Sequence, residues 1–384
     1  MHPSLEYLLV GAIAAAGAFV LTPLARRLAI MFGAIAKPRG RDVHAVAIPR
    51  MGGVAILGGF ALAMLVAARL PTLHESFRSG PEMPWVLVSG ALICAVGVID
   101  DRFELDSLTK LAGQVLATAI MVTRGGVQLA EIYVPGSGTF ILGQDLAIPV
   151  TIALTVLTIN AINFIDGLDG LAAGVTAIGA GAFFVYSYHL GQTGLLDITA
   201  APTLLAAVLA GSCIGFLPHN FFPAKVFMGD SGSMLVGLML SAAATTATTS
   251  ADPQTFAGAS GAIPLALPLL IPLSVLVVPF VDLMLAVVRR VRRGQSPFAP
   301  DKRHLHHRLL ELGHSHRRAV LLLYFWSALL AFGGVGFAMV GKPWVLAAMI
   351  AAGVLLGALV SRPRRRRRPR PQAPRGAVKT PAQL

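Results

Sequence analysis

The sequence has few charged residues and long stretches that contain none. Charged side chains make up only 13% of the 384 residues, whereas hydrophobic side chains make up 55%. The mean hydropathy of +0.73 lies far above that of an ordinary globular domain. This composition excludes a soluble globular protein and indicates a polytopic membrane protein.

Cysteine is almost absent, and the two cysteines do not form a recognisable pattern. Cys94 and Cys213 both lie inside apolar runs. A disulfide framework and a thiolate metal site both require more cysteines at regular spacings. We therefore expect neither.

Acidic residues are also scarce, at 18 against 31 basic residues, so the formal net charge is +13. Much of this excess lies in the Arg- and Pro-rich stretch 362–384. A basic run next to an apolar span is more typical of contacts with anionic lipid headgroups than of nucleic-acid binding. We expect membrane lipids, and no nucleic acid, among the partners.

Apolar runs of about 17 to 25 residues are long enough to cross about 30 Å of hydrocarbon. We predict an all-α polytopic membrane protein with about eleven transmembrane helices in a domain over 1–361, followed by a disordered cytoplasmic tail over 362–384. Four prolines in the ninth run predict a kinked helix. The eleven runs are 5–24, 51–69, 85–99, 109–123, 148–163, 171–189, 201–217, 233–249, 262–288, 319–340 and 343–361.

Basic residues between these runs predict the orientation. Most of them collect on one side, and by the positive-inside rule that side is cytoplasmic. The amino terminus is then outside and the carboxyl terminus inside. The segment 125–147 contains short β-prone pieces around a Pro-Gly turn, which predicts a small hairpin on the outer face.

Polar residues recur where apolar runs end, and by this topology all of them face the cytoplasm. Such groups can serve as turn and helix-cap residues. Because polar residues follow apolar runs in four separate loops, the pattern favours a functional site over turn and cap roles alone. The groups are Asp100 and Asp101, then Asn160, Asn163, Asp166 and Asp169, then Asp230, and finally the 301–308 loop with Asp301, Arg303, His304, His306 and His307.

The adjacent carboxylates of Asp100 and Asp101 repel each other when both are ionised, and a divalent cation relieves that cost. An all-oxygen ligand set favours Mg²⁺, or Mn²⁺, over zinc. Asp230 lies among small residues at the start of the eighth run, where backbone N–H groups also suit a phosphate.

The histidine-rich loop supplies donors that a diphosphate substrate needs beside a metal centre. A zinc site and a solvated basic loop are the two alternatives for this segment. Asp282 lies inside the ninth run, where a carboxylate can be functional or can form hydrogen bonds between helices.

Taken together, these motifs resemble those of the bacterial polyprenyl-phosphate N-acetylhexosamine-1-phosphate transferases, and the resemblance covers about residues 1–361. Each motif is weak alone, but their order along the chain is specific. They are Asp-Asp-Arg at 100–102, Asn-x-x-Asn-Phe-x-Asp-Gly-x-Asp-Gly-Leu at 160–171, Phe-Met-Gly-Asp-Ser-Gly-Ser at 227–233, His-x-His-His at 304–307, and the earlier stretch from His44 to Gly53 with Arg50.

The resemblance implies transfer of a sugar 1-phosphate from a UDP-N-acetylhexosamine to a polyprenyl phosphate in the bacterial cytoplasmic membrane, with release of UMP. It also implies a role for each matching residue. Asp100 and Asp101 would be the catalytic pair and would bind the metal with Asp230. Asn163, Asp166, Asp169 and Phe227 would contact the nucleotide, and Lys110, Arg303, His304, His306 and His307 would contact the phosphates or the sugar. His44, Arg50, Asn160 and Asp282 are weaker candidates.

Several alternatives stay open in the sequence. A related branch transfers phospho-N-acetylmuramoyl-pentapeptide, but Arg50 in the Ile-Pro-Arg-Met-Gly-Gly stretch and the interrupted histidine run favour the smaller sugar, N-acetylglucosamine. An ion-coupled transporter would place its carboxylates near the bilayer midplane rather than at one boundary. Direct attack by the lipid phosphate is favoured over a covalent phospho-sugar enzyme. A homodimer is left open.

Overall fold

A computed structural model describes residues 2–36, 47–129, 131–134, 138–197, 201–249, 315–340 and 342–361. The described part of the chain is almost entirely helical. Its helices are α1 (Pro3–Phe32), α2 (Gly52–Ala67), α3 (Glu75–Arg78), α4 (Glu82–Phe103), α5 (Ser107–Gly125), α6 (Gln144–Ile165), α7 (Leu171–Gln192), α8 (Ala201–Asn220), α9 (Gly229–Thr249), α10 (His316–Val340) and α11 (Pro343–Ser361).

The predicted apolar runs outside 262–288 coincide closely with these helices. Within the described ranges, six helices are long and apolar enough to cross a membrane, namely α1, α4, α6, α7, α8 and α10. The polytopic, mainly helical character of the chain is therefore confirmed. The predicted kinked ninth helix and the tail over 362–384 lie outside the described residues.

Two short pairs of antiparallel strands interrupt the helices. Strands β3 (Glu131–Val134) and β4 (Gly138–Ile141) pair antiparallel, with Ile132 opposite Phe140. They form the hairpin that the Pro-Gly turn predicts within 125–147. A second pair, β1 (Ile35–Ala36) and β2 (Ile48–Pro49), was not predicted from the sequence.

Helix α9 is the centre of the described helices. It packs against α4, α6, α8, α2 and α7, and its residues 231–248 are all buried. Its sequence is rich in Gly, Ala, Ser and Thr, and such small residues let neighbouring helices approach closely in a membrane protein. The other helices therefore form a shell around a narrow central helix.

Two glycines on the surrounding helices and one in α9 make this approach feasible. A Cβ atom on Gly53 of α2 would lie 2.3 Å from the Ser231 carbonyl carbon, and one on Gly97 of α4 would lie 2.4 Å from the Ser231 Cα atom. Within α9 itself, a Cβ atom on Gly237 would lie 2.7 Å from the Ile159 Cα atom of α6. These distances are far below ordinary van der Waals contact, so the start of α9 is held against backbone on two sides.

The two ends of the bundle carry different polar contacts. At one end the buried Glu6 carboxylate accepts hydrogen bonds from the backbone N–H groups of Thr72, at 3.0 Å, and Leu73, at 3.1 Å. These bonds tie the start of α1 to the segment after α2. At the other end, the carboxyl-terminal ends of α4 and α6 meet the amino-terminal ends of α2, α5 and α9.

We expect Gly97→Ala to destabilise the protein by about 1–3 kcal/mol, because the added methyl group overlaps the backbone of α9. Thermal unfolding of the purified protein in detergent measures this effect. Gly181→Ala in α7 is the matched control, since a Cβ atom there would meet only one side-chain atom at 4.0 Å. Equal unfolding midpoints for the two variants would contradict the packing described here.

Candidate active site

Asp100 and Lys110 meet because the chain reverses direction between α4 and α5. Glu104 ends α4 in the left-handed conformation, with φ of 50°. The Asp106 carboxylate then caps α5 by accepting hydrogen bonds from the N–H groups of Leu108, at 3.0 Å, and Thr109, at 3.1 Å. Hydrogen bonds from the Thr109 hydroxyl and amide hold the pKa of Asp106 below its usual range. This capped turn places Lys110, in the first turn of α5, beside the end of α4.

The Lys110 ammonium bridges two of the predicted metal ligands. Its Nζ atom lies 2.9 Å from Asp100 Oδ2 and 2.9 Å from Asp230 Oδ1. The other Asp100 oxygen accepts a hydrogen bond of 2.8 Å from the Leu105 N–H group. Three helices, α4, α5 and α9, therefore contribute one charged group each to a single cluster.

Asn163 joins this cluster from the last turn of α6. Its Nδ2 atom donates to Asp230 Oδ1, and also to the Ser233 hydroxyl at 2.8 Å. The Asp230 carboxylate thus receives donors from both Lys110 and Asn163. Four residues predicted from separate sequence motifs converge on one point.

The second carboxylate of the Asp-Asp pair has different partners. Asp101 Oδ1 accepts a hydrogen bond of 2.9 Å from the Asp230 N–H group, and Asp101 Oδ2 accepts one of 3.1 Å from the Ser231 N–H group. Asp101 therefore contacts the backbone at the start of α9, whereas Asp100 contacts the Lys110 side chain.

Asp166 follows α6 directly and is partly buried. Desolvation by the surrounding protein raises the pKa of Asp166 well above its usual value, and the charges of Asp230 and Asp101 raise it further, whereas Arg50 opposes the shift. A carboxyl group in this environment favours either its protonated form or a bound cation.

Asp169 is buried and bonds to the protein backbone. Its Oδ2 atom accepts a hydrogen bond of 2.9 Å from the Ala224 N–H group. This bond joins the loop after α6 to the loop between α8 and α9. The contact with a nucleotide that the resemblance implies for Asp169 remains a prediction.

Phe227 and Arg50 are brought together by backbone pairing. The Phe227 N–H group donates to the Pro49 carbonyl at 2.9 Å, and the Gly52 N–H group donates to the Phe227 carbonyl at 3.0 Å. The next pair continues the pattern, with Gly53 donating to the Met228 carbonyl at 3.2 Å. Pro49 and the first residues of α2 are thus hydrogen-bonded to the segment before α9, next to Asp230.

Asn160 lies one turn before Asn163 and pairs with a residue that the sequence motifs did not single out. Its Nδ2 atom donates to Gln114 Oε1 at 2.7 Å. Gln114 lies one turn after Lys110 on the same face of α5. The signal that could have identified Gln114 is a glutamine four residues after Lys110 in a mainly apolar helix.

Two further residues hold the loop after α6 and were also missed. The Asn220 side chain accepts a hydrogen bond of 3.1 Å from the Gly170 N–H group, and the Tyr324 hydroxyl donates to the Gly170 carbonyl. Gly170 has φ of 79°, and a Cβ atom on Gly174 would lie 2.0 Å from the Tyr324 ring. Tyr324 belongs to α10, far along the sequence, so no local pattern predicts this contact.

Part of the predicted site falls outside the described residues. These candidates are His44, Asp282, Arg303, His304, His306 and His307. The roles that the resemblance implies for them remain predictions.

The described part of the site suits magnesium better than a metal with a complete protein cage. Among the described residues, no three His, Cys, Asp or Glu side chains converge on one metal position. Mg²⁺ usually takes one or two carboxylates and completes its octahedron with water and substrate phosphates. Asp100 and Asp230, which share the Lys110 ammonium, could supply such a pair of hard oxygen ligands.

We expect Asp166→Asn to change how stability depends on pH. In the unfolded protein the pKa of Asp166 is ~3.9. In the folded protein this pKa is higher. The stability of the metal-free wild-type protein therefore falls as the pH rises between these two pKa values. Asp166→Asn removes this contribution, so the variant should lose less stability than the wild type over that window. Thermal unfolding in EDTA at about pH 5 and about pH 8 measures the difference.

Asp145→Asn is the control for that measurement, because Asp145 is exposed in the first turn of α6. The control should follow the wild type over the same pH range. If Asp166→Asn also follows the wild type, the raised pKa of Asp166 is refuted.

Comparisons with known proteins agree with this arrangement. Residues 83–248 match the family model described as "Glycosyl transferase family 4". This range covers α4 to α9 and therefore includes Asp100, Lys110, Asn163 and Asp230.

Curated relatives match over most of their length. The chain is 49% identical over 334 residues to a decaprenyl-phosphate N-acetylglucosaminephosphotransferase of Mycolicibacterium smegmatis, which covers 86% of this chain and 82% of the relative. It is 48% identical to the protein of the same name from Mycobacterium leprae, over 95% of this chain and 92% of the relative. It is 34% identical to a probable undecaprenyl-phosphate N-acetylglucosaminyl 1-phosphate transferase of Bacillus subtilis, over 79% of this chain and 77% of the relative. The chain therefore belongs to the family of polyprenyl-phosphate N-acetylglucosamine-1-phosphate transferases.

Proposed function

We propose that this protein transfers N-acetylglucosamine 1-phosphate from a UDP-sugar to a polyprenyl phosphate and releases UMP. The observation that carries the proposal is the contact of Asp100, Lys110, Asn163 and Asp230 at one end of the bundle. These residues come from four helices and from the part of the chain that matches the family model. The names of the relatives support the polyprenyl phosphate acceptor and the N-acetylglucosamine group.

The reaction exchanges one phosphoric anhydride for another. An oxygen of the lipid phosphate attacks the β-phosphorus of the UDP-sugar, the bond from this phosphorus to the bridging oxygen breaks, and UMP leaves with that oxygen. Such a reaction is nearly balanced in energy, so the rate depends on positioning and on neutralisation of charge. Magnesium supplies charge neutralisation of the phosphate oxygens when bound.

The described residues divide these tasks in our proposal. Asp100 and Asp230 provide the metal-binding carboxylates, and Asn163 orients Asp230 through its amide. Lys110 is within 2.9 Å of both carboxylates and can neutralise a phosphate oxygen at the same place. In our scheme, Asp100 also orients the attacking lipid phosphate or accepts its proton. Direct attack needs no covalent enzyme intermediate, because a phosphate monoester is already a nucleophile.

The nucleotide would lie beside the loop after α6. Asp166 and Asp169 belong to this loop, and Phe227 lies on the adjoining segment before α9. The side chains of Asn220 and Tyr324 form hydrogen bonds with the backbone of Gly170 in this loop. These bonds support a loop whose conformation is already fixed before a ligand binds.

The distribution of basic residues supports a position for the site in the membrane. The end of the bundle with the cluster carries Arg26, Arg27, Arg50, Arg102, Lys110, Lys225, Arg317 and Arg318, and the opposite end carries Arg69, Arg78, Arg124 and Lys342. The positive-inside rule supports a cytoplasmic position for the basic end, with about eleven spans and the amino terminus outside. A polyprenyl phosphate headgroup and a cytosolic UDP-sugar would meet at that boundary of a bacterial cytoplasmic membrane.

The phospho-N-acetylmuramoyl-pentapeptide reaction is the alternative within this chemistry. The relatives named above are all N-acetylglucosamine phosphate transferases, so the comparisons do not favour it. The product of the proposed reaction, a polyprenyl-diphosphate sugar, would serve as the lipid-linked start of a cell-wall or surface polysaccharide.

We expect Asp230→Asn to reduce magnesium-dependent turnover by about 100-fold or more, because it removes a charged metal ligand. The variant should remain folded, since an asparagine at this position still accepts the Lys110 hydrogen bond. Turnover is measured with UDP-N-acetylglucosamine and polyprenyl phosphate in detergent, beside an unfolding curve. Asp145→Asn is the matched control and should retain full turnover, and normal turnover by Asp230→Asn would remove Asp230 from the site.

Exchange of labelled UMP into UDP-N-acetylglucosamine tests the proposed reaction itself. A reversible phosphotransferase supports this exchange when the polyprenyl-diphosphate sugar is present, whereas an ion-coupled transporter does not. Mass spectrometry of the lipid product should identify an N-acetylhexosamine on a polyprenyl diphosphate. The proposal would be refuted if membranes that contain the folded protein showed neither the exchange nor the lipid product.

A further inference from the structure

We propose that Asp101 is a positioning residue that acts through Asp230, and that it is not a metal ligand. The role differs from the one that the family resemblance implies for the second aspartate of the pair. The proposal rests on the proposed function only in one respect, namely that Asp230 binds the metal.

The Asp101 carboxylate caps helix α9 from outside that helix. The first N–H groups of an α-helix have no partner within the helix. Asp101 Oδ1 accepts from Asp230 at 2.9 Å and Asp101 Oδ2 accepts from Ser231 at 3.1 Å, so both oxygens face consecutive N–H groups of the first turn. In most helices the preceding residue supplies this cap, but here a carboxylate from α4 does so.

The surroundings of this carboxylate fit such a cap closely. Gly229, the first residue of α9, has φ of 70°, and a Cβ atom there would lie 2.5 Å from Asp101 Oδ2. Gly97 lies one turn before Asp101 on the same face of α4, and a Cβ atom there would lie 2.6 Å from the Asp230 carbonyl carbon. On one face of α4, Gly97 therefore allows the backbone of α9 to approach, and Asp101 forms hydrogen bonds with the first N–H groups of α9.

The electrostatics of the helix end account for the Asp101 charge without a metal. The amino-terminal end of an α-helix carries a partial positive charge, which stabilises an adjacent carboxylate. Asp101 is 5% exposed and receives two backbone N–H donors. These two donors partly offset the cost of burying its charge.

The two aspartates of the pair point to different partners because consecutive residues lie about 100° apart around a helix. Asp100 faces the Lys110 ammonium and the reacting groups, whereas Asp101 faces the α9 backbone. By fixing the backbone of Asp230, Asp101 fixes the direction in which the Asp230 side chain leaves α9. This is the consequence for the proposed metal site.

Amide hydrogen exchange in the metal-free protein tests the cap directly. The full chain is exchanged in detergent with EDTA, and the amides of Asp230 and Ser231 are resolved by fragmentation mass spectrometry. We expect these amides to be protected in the wild type and to exchange roughly tenfold faster in Asp101→Asn. Asp100→Asn is the matched control, because its side chain contacts Lys110 and not these amides, and it should leave their exchange unchanged.

Two results in this measurement would overturn the proposal. One is equal exchange of the two amides in Asp101→Asn and the wild type. The other is unprotected exchange in the metal-free wild type, which needs no variant and therefore remains decisive if Asp101→Asn does not fold.

A thiolate-seeking metal tests whether Asp101 also binds the cation. Cd²⁺ binds thiolates and gives an ultraviolet charge-transfer band. Relative to the wild type, whose two cysteines are buried, we expect an added band in Asp230→Cys and none in Asp101→Cys. An added band in Asp101→Cys would show that this position reaches the metal and would refute the positioning role.

The outcomes separate this proposal from the proposed function. If Asp230→Cys gives no added band while the Asp230 and Ser231 amides depend on Asp101, the cap stands and the metal role of Asp230 fails. If the band appears in Asp230→Cys while the amides are independent of Asp101, the metal site stands and the cap fails.

Discussion

The site depends on the close packing of the start of α9 against α2 and α4. It requires two backbones to approach without side chains between them, and Gly53 and Gly97 provide that space. The Asp101 carboxylate then satisfies the N–H groups that the helix itself leaves free. Since Asp230 is the second residue of α9, any shift of this helix end moves its carboxylate away from Lys110 and Asn163.

Charge balance is the second constraint on the arrangement. Several carboxylates lie within one small volume, and their mutual repulsion would destabilise the fold if nothing compensated it. Lys110 compensates Asp100 and Asp230, the end of α9 compensates Asp101, and the backbone of Ala224 binds Asp169. For Asp166, burial and the neighbouring carboxylates raise the pKa more than the charge of Arg50 lowers it. In the proposed function, a bound divalent cation would further reduce this repulsion.

Much of this organisation follows from local sequence signals. Apolar runs such as 171–189 and 201–217 predict α7 and α8 because their length matches the membrane and few charges interrupt them. The convergence of Asp100, Asn163 and Asp230 could also be predicted, because each follows or begins an apolar run and alternate ends of antiparallel helices share one side. Lys110 required the family resemblance, since one lysine at the start of a helix is a common feature.

Other contacts could not be predicted because they depend on how helices distant in sequence meet. Asp100 and Asp101 contact different partners because of the rotation of α4 relative to α5 and α9. Two adjacent aspartates in a sequence do not predict this rotation. The Tyr324 hydrogen bond to Gly170 joins residues 154 positions apart. The pairing of Phe227 with Pro49 gives no periodic pattern, because it extends over only a few residues outside regular helices.

A double-mutant cycle between Lys110→Met and Asp230→Asn tests the central claim most directly, namely that separate helices bring these charged groups into contact. The unfolding midpoints of the wild type, both single variants and the double variant are measured in metal-free detergent solution. The account predicts a coupling of about 1 kcal/mol or more, while Lys110→Met and Asp145→Asn should show none. Independent effects of Lys110→Met and Asp230→Asn would contradict the site described here.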